Sequence, residues 1–255
     1  MIPIKNQREI QQMRVAGSVA RSVLEGAGAL IQPGMTTAEL DRLIGELIRE
    51  QGGKSAFLHY RGFPGNCCIS LNEEVVHGFG DRRRIQYGDL VKLDIGVSVN
   101  GWIGDTAYSF PVGMISPEVQ RLLSATEEAL KLAVEQARPG RRVGDIGAAV
   151  ENYVTKFGYS VVREFVGHGV GRKLHEDPQI PNHGPANKGA KLKPGMTLAI
   201  EPMVNMGMPE VVIARNGWTA ATADGLPSAH FEHTVLVTEG EPELLTVCQA
   251  AIASR

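Results

Sequence analysis

Four acidic residues in this chain occupy positions where acids are seldom found. Asp94 and Asp105 in one half, and Glu201 and Glu232 in the other, each lie inside or at the edge of an apolar run that reads as a β-strand. Any one of them alone is more simply a turn cap or one end of a surface ion pair. As a set they point elsewhere. Carboxylates that converge repel one another, so they must take up protons or share cations, and four negative charges balance two divalent metals. The segment Phe165-Val-Gly-His-Gly-Val-Gly-Arg-Lys-Leu-His175 offers a nitrogen ligand. A lone histidine is more often a hydrogen-bonded core or surface residue, and His77 or His183 carries little weight by itself. The glycines at 167, 169 and 171, however, let the backbone approach a ligand closely and predict that His168 is presented from a tight, irregular turn. An oxygen-rich site with one imidazole suits two divalent ions drawn from Mn, Fe(II), Co or Zn.

Strand alternation explains how such acids are held. In Gly88-Asp-Leu-Val-Lys-Leu-Asp94 and Gly195-Met-Thr-Leu-Ala-Ile-Glu201 the acid follows the glycine by six residues. Val91, Leu93 and Ile95 then face away from Asp94, and Leu198 and Ile200 away from Glu201. Further strands are expected at Asp105 to Phe110 and Phe231 to Thr238. In the last of these, alternation sets His230 beside Glu232, where it can support a metal ligand, and turns His233 away as a structural residue. The helices that cover the apolar backs are equally legible. Ile10, Met13, Gly17, Ala20, Leu24, Ala27 and Ile31 form a stripe on one helix face. Pro33-Gly34 breaks that helix, and Thr36 with Glu39 reads as the capping box of a second one carrying Leu40, Leu43, Ile44, Leu47 and Ile48. Ser116-Pro117 opens a third helix to about Gln136, and Ile146, Val150, Tyr153 and Val154 mark a fourth that ends at Gly158.

This order of helices then strands occurs twice. Shifted on itself by 106 or 107 positions, the chain places Pro33-Gly34 on Pro139-Gly140, Glu39-Leu40 on Asp145-Ile146, Gly52 on Gly158, Gly88 on Gly195 and Asp94 on Glu201. The expectation is an α+β fold of two pseudo-symmetric halves, roughly 1–115 and 116–255, within a single catalytic domain. In each half helices cover antiparallel strands, and the two carboxylate fronts meet around a central metal site.

The bulk properties agree. The 255 residues carry 26 Lys+Arg against 28 Asp+Glu, a net charge of −2, and are 43% hydrophobic. That composition is globular, and no apolar run approaches the roughly 18 residues of a membrane span. Near-neutral charge argues against a DNA-binding role. Three cysteines, two of them adjacent at Cys67 and Cys68, make a poor disulfide framework and, with a charged, helix-periodic start, suggest a cytoplasmic protein. Asp81-Arg82-Arg83-Arg84 is the one concentrated basic run. It reads as a solvated loop, the alternative being weak, salt-sensitive contact with ribosomal RNA.

Taken in order, Asn72-Glu-Glu-Val-Val-His77-Gly, Lys92-Leu-Asp94-Ile-Gly, Gly104-Asp105-Thr, the His168 loop through His175-Glu-Asp-Pro, Ala199-Ile-Glu201-Pro and Phe231-Glu232-His-Thr resemble the type I methionine aminopeptidases, in their short bacterial form, over essentially the whole chain. The resemblance implies the pita-bread fold, which agrees with the internal repeat. It also implies that Asp94 chelates one metal, that His168 and Glu201 hold the other, and that Asp105 and Glu232 bridge both. A water or hydroxide between the metals would attack the first peptide bond. Glu201 is similar to the family's proton shuttle, and His77 and His175 resemble the residues that contact the peptide and steady the tetrahedral intermediate. Tyr60, Phe63, Cys68 and Trp218 match the methionine pocket. Phe57, Arg61 and Leu174 stand where the better-known bacterial pattern has other residues, Leu174 at a substrate-contacting position. Asn72 and Ser228 match positions associated with a monovalent cation. The implied partner is a peptide or nascent-chain N-terminus, met by a monomer. Two other readings are an Xaa-Pro aminopeptidase of the same fold, against which the chain's length argues, and a non-catalytic peptide-binding module, against which the intact ligand positions argue.

Overall fold

In the computed structural model, which describes residues 1–248, the first two helices start at capping boxes. Asn6 Oδ1 accepts from the amides of Arg8 and Glu9, and Glu9 returns the bond to the Asn6 amide, opening α1 (Gln7–Leu30). Thr36 and Glu39 exchange the same pair of bonds at the start of α2 (Thr37–Glu50). The stripe from Ile10 to Ala27 is buried, whereas Ile31 lies just past the helix as its C-cap, in extended conformation. In the second half α3 (Pro117–Glu135) has proline in its first turn, and α4 (Val143–Val154) runs into a short turn closed by Gly158 at φ 78°.

The longest sheet is built on β4 (Leu90–Val99). One edge pairs along its length with β5 (Trp102–Pro111), and the other with β1 (Lys54–Ser55) and β2 (Cys68–Leu71). The β4–β5 turn is Asn100-Gly101 with φ 51° and 77°, the left-handed pair that a two-residue hairpin requires. A second sheet follows the order β15 (Glu243–Leu244), β14 (His233–Leu236), β9 (Thr197–Ile200), β7 (Gly167–Gly169), β8 (Glu176–Ile180). Two small sheets complete the described residues. One joins β6 (Ser160–Val161), β10 (Met203–Asn205) and β13 (Ser228–His230), and the other joins β3 (Glu74–Val76) to β12 (Ala220–Thr222) and β11 (Val211–Ile213).

Two cores separate as alternation requires. Val91, Leu93, Ile95 and Val97 pack under Ala20, Val23, Leu24 and Ala27 of α1 and Leu40, Ile44 and Ile48 of α2. Leu198, Ile200 and Val235 pack under α3 and α4 through Leu122, Leu130, Ile146 and Val150. The halves match in backbone detail as well. Gly34 and Gly140 have φ 89° and 86°, Gly52 and Gly158 75° and 78°, and Gly88 and Gly195 94° and 87°. Isolated bridges at Thr36–Arg84 and Arg142–Lys191 fall on the same shift. Chance pairing of common dipeptides would not reproduce left-handed conformations position by position, so the repeat is structural.

Three local expectations are corrected. No single strand spans Phe231 to Thr238, because β13 ends at His230 and β14 begins at His233 in a different sheet. Glu232 sits in that break, its amide donating to Ala107 O at 3.0 Å. Glu201 likewise lies beyond β9, where Pro202 has no N–H to continue the ladder. Gly167–Gly169 is a strand rather than a turn, with a bulge between His168 and Gly169. Its glycines serve close strand packing, since a Cβ at 167 would meet Ala199 O at 2.4 Å and one at 169 would meet Asp177 O at 2.2 Å. The basic run is also less free than expected. Arg83 is half-buried and bonded to Glu74, Asp81 and the Phe79 carbonyl, and Arg84 donates to Gly34 O.

Candidate metal centre

β5 is the seam on which the two halves lock, and it sets two of the acids. The Thr234 hydroxyl donates to Asp105 O at 2.8 Å and accepts from Asp105 N at 3.2 Å, while Thr106 Oγ1 donates to Glu232 O at 2.9 Å. Ser109 Oγ donates to His230 O at 2.7 Å. These bonds fix Asp105 and the 230–234 segment by main chain, so the carboxylates are free to face inward. Asp94 comes from β4, paired in register with Cys68 of β2 on one side and Ala107 of β5 on the other.

The result is a tight acidic cluster. One oxygen each of Asp94, Asp105 and Glu232 lies within 4.8 Å of the others. Asp94 Oδ1, Asp105 Oδ1 and Glu232 Oε1 are buried without a hydrogen-bond partner among the described residues. Orphaned buried carboxylate oxygens are costly unless a cation completes them. His168 Nε2 approaches Glu201 Oε1 at 3.4 Å and Asp105 Oδ2 at 3.8 Å. Its Nδ1 is 2.9 Å from Gly169 O, which can only accept; Nδ1 therefore carries the proton and Nε2 points a lone pair at the acids. The donor set fits divalent metal ions.

Protonation follows the same logic. Burial drives Asp94 up to about 7, and burial together with neighbouring carboxylates raises Asp105, Glu201 and Glu232 well above the usual range. Burial, then His175, lowers His168 to about 4, so its ring is neutral and ready to ligate. The acids raised in the fold hold protons that the unfolded chain has already lost. Taken alone, these acids make the metal-free fold less stable as pH rises toward about 7, whereas His77, His168, His230 and His233, lowered by burial, act in the opposite direction up to the usual histidine range. A metal must displace those protons, and each one displaced strengthens binding roughly tenfold per pH unit across the window. The increase in Tm on adding Mn(II) should thus be clearly larger about one unit above the Asp94 value than one unit below it, as read by thermal unfolding. Equal increases would mean that these acids do not receive the metal.

Beside the acids lies a cavity of about 350 Å³. Tyr60, Phe63, Cys68, Leu174 and Trp218 line it, as do His77, His175, Phe57 and Arg61. Phe63 packs edge-on against both Trp218 and Phe57. The Phe57 ring takes the room a side chain at Gly96 would need, since a Cβ there would meet it at 2.4 Å. Burial pushes the Cys68 thiol up, so it is an apolar wall and not a thiolate. The Tyr60 hydroxyl is 2.9 Å from His175 Nδ1, and the His175 and His168 rings are 4.3 Å apart. His77 has φ 61°, a strained value for a non-glycine residue, and packs against Phe165. His230 is fully buried with Nε2 3.7 Å from Glu201 Oε2. His233 turns away and binds Thr246 Oγ1 at 2.8 Å. Asn72 and Ser228 are not among the residues that line the cavity. Val76, Glu164, Val166 and Met203 do line it and were not anticipated. Val76 and Met203 lie in short strands of the two small sheets, and pairing across the chain leaves no local signature.

Residues 11–239 match the model of metallopeptidase family M24. The chain is 48% identical over 246 residues to methionine aminopeptidase 1 of Bacillus subtilis, covering 96% of this chain and 99% of that protein. It superposes on the methionine aminopeptidase of Rickettsia prowazekii with a TM-score of 0.95 at 38% identity, covering 97% of this chain and all of that one. The prolidase of Pyrococcus furiosus is more distant, with a TM-score of 0.78 at 26% identity, and this chain covers 65% of it.

Proposed function

Since the chain belongs to metallopeptidase family M24, we propose that it is a metal-dependent aminopeptidase that removes the N-terminal methionine from peptides and nascent proteins. The observation that carries this reading is that one cavity holds both the acidic cluster and an apolar wall. Asp94, Asp105, His168, Glu201 and Glu232 line it together with Tyr60, Phe63, Cys68, Leu174 and Trp218, Cys68 lying directly across from Asp94 on the neighbouring strand. An unbranched thioether side chain fits such a wall. The free amine of the same residue, in its neutral form, would be bound by the ions those acids hold, which limits cleavage to chain termini.

Asp94, Asp105, His168, Glu201 and Glu232 are the residues that would hold two divalent ions. When bound, these ions supply an activated water nucleophile and polarise the scissile carbonyl. The chain's own groups do the rest. Glu201, whose carboxyl is raised by burial and by Asp94 and Asp105, takes a proton and returns it to the leaving amine. The Tyr60 hydroxyl lies 2.9 Å from His175 Nδ1, and the oxyanion role requires the tautomer in which Nδ1 accepts from that hydroxyl and Nε2 carries the proton. His77, lowered to about 4 by burial and then His175, is neutral and donates to the peptide. His230 Nε2, buried without a hydrogen-bond partner among the described residues, lies 3.7 Å from Glu201 Oε2, close enough to steady that carboxylate.

Every residue of the set comes from one chain, so a monomer suffices. Cys67, Cys68 and Cys248 are free thiols, and no helix among the described residues is long and apolar enough to cross a membrane. Both features are consistent with work in the cytoplasm on emerging N-termini. The test is peptide specificity with Mn(II) or Co(II) loaded. Methionine should be released from Met-Ala-Ser, and Ala-Pro peptides should be left intact. Preferential cleavage of Ala-Pro, or no metal-dependent release from either, would overturn the reading.

A further inference from the structure

Lys92 lies on β4 two residues before Asp94, on the same side of the strand, and is 1% exposed. Its hydrogen bonds go to main-chain carbonyls rather than to a carboxylate. Nζ donates to Asn72 O at 2.7 Å and to Ser228 O at 3.0 Å. Asn72 is the left-handed corner between β2 and β3, with φ 47°, and its side chain and amide are tied to Asp89 and Leu90. Ser228 opens β13 in the other half, and its amide donates to the same Asn72 carbonyl at 3.1 Å. Two carbonyl dipoles from opposite halves therefore turn their negative ends toward one buried nitrogen. Burial draws the Lys92 ammonium down to about 7, against the pull of Glu74, Glu73 and Asp89. Converging carbonyl oxygens only accept, so they favour a cation between them, as carbonyl rings do for alkali ions.

A monovalent cation at Asn72 and Ser228 does not fit the residues present, because the oxygens that would hold it already accept from Lys92. We propose that the Lys92 ammonium is a built-in counter-cation that takes the place of a monovalent metal ion at this seam. It is a positioning residue. Asp94 lies two residues beyond Lys92 and Glu232 four beyond Ser228, so the clamp sets one metal-binding acid of each half against the other.

Two variants test the proposal on the metal-loaded protein. Lys92→Ser leaves the carbonyls facing an opened space, whereas Lys92→Met fills the space without charge. Wild type should have the same Tm in KCl and in equimolar choline chloride. Lys92→Ser should lose roughly 4–8 °C in choline and recover it in KCl or NaCl. It should also bind Mn(II) more weakly in choline than in KCl. Lys92→Met should be destabilised equally in every salt. A Lys92→Ser protein indifferent to the salt, one that stays unfolded in KCl, or a wild type that itself gains Tm from KCl would each overturn the proposal. Because the readouts are Tm and metal affinity, the result does not depend on which peptide is cleaved.

Discussion

Asp105→Asn is expected to abolish turnover and to lower the bound metal while leaving the fold intact. Asp105 is 3% exposed on β5 and is held by main chain, with the Thr234 hydroxyl bonded to both its amide and its carbonyl. An isosteric amide keeps those bonds. What changes is the charge that faces Asp94 and Glu232, and a neutral amide is a poor bridge between two cations. Metal ions contribute several kcal/mol to such a hydrolysis, at about 1.4 kcal/mol per tenfold, so kcat/KM should fall by about a thousandfold or more. The same substitution removes an acid whose ionisation is opposed in the metal-free state, where burial and then Asp94 raise the Asp105 carboxyl. The metal-free variant should therefore unfold no earlier than metal-free wild type at a pH above the Asp94 value. Metal analysis after dialysis and thermal unfolding check both halves of this expectation. Normal metal content with normal rate would remove Asp105 from the ligand set.

His175→Ala and His168→Ala should fail in different ways although the two rings are 4.3 Å apart. His168 has its Nδ1 proton committed to Gly169 O and its Nε2 lone pair turned toward Glu201 and Asp105, so its removal should weaken at least one metal. His175 stands at the exposed mouth, held by Tyr60 and with no acid of the cluster in contact. Its removal should spare the metals and cost roughly a hundredfold to a thousandfold in rate, as loss of a preorganised oxyanion donor does. Calorimetric metal titration followed by rates on Met-Ala-Ser at saturating metal separates the two. If His175→Ala loses metal as His168→Ala does, the ligand set is wrong by one residue. If it keeps full rate, the oxyanion role is wrong.

Sequence by itself determined the frame of this protein. Period and capping chemistry are local, so α1, α2 and the boundary residues Thr36 and Gly158 follow from neighbours a few positions apart, whereas the Asn6 cap of α1 emerged only in the structure. The six-residue step from Gly88 to Asp94 and from Gly195 to Glu201 carried both the repeat and the inward acids, because strand alternation is also local. Only the tertiary structure decided what depends on a partner far along the chain. The glycines around His168 read as turn residues until Ala199 O and Asp177 O showed how closely the neighbouring strands pass. The run from Phe231 to Thr238 reads as one strand, yet it divides at Glu232 because its two ends pair with different sheets. Lys92, an ordinary polar position between Val91 and Leu93 in sequence, became a buried cation only when folding brought the Asn72 and Ser228 carbonyls to it. Periodicity tells which face a residue takes, and the partner on that face is set by contacts between segments that no local pattern encodes.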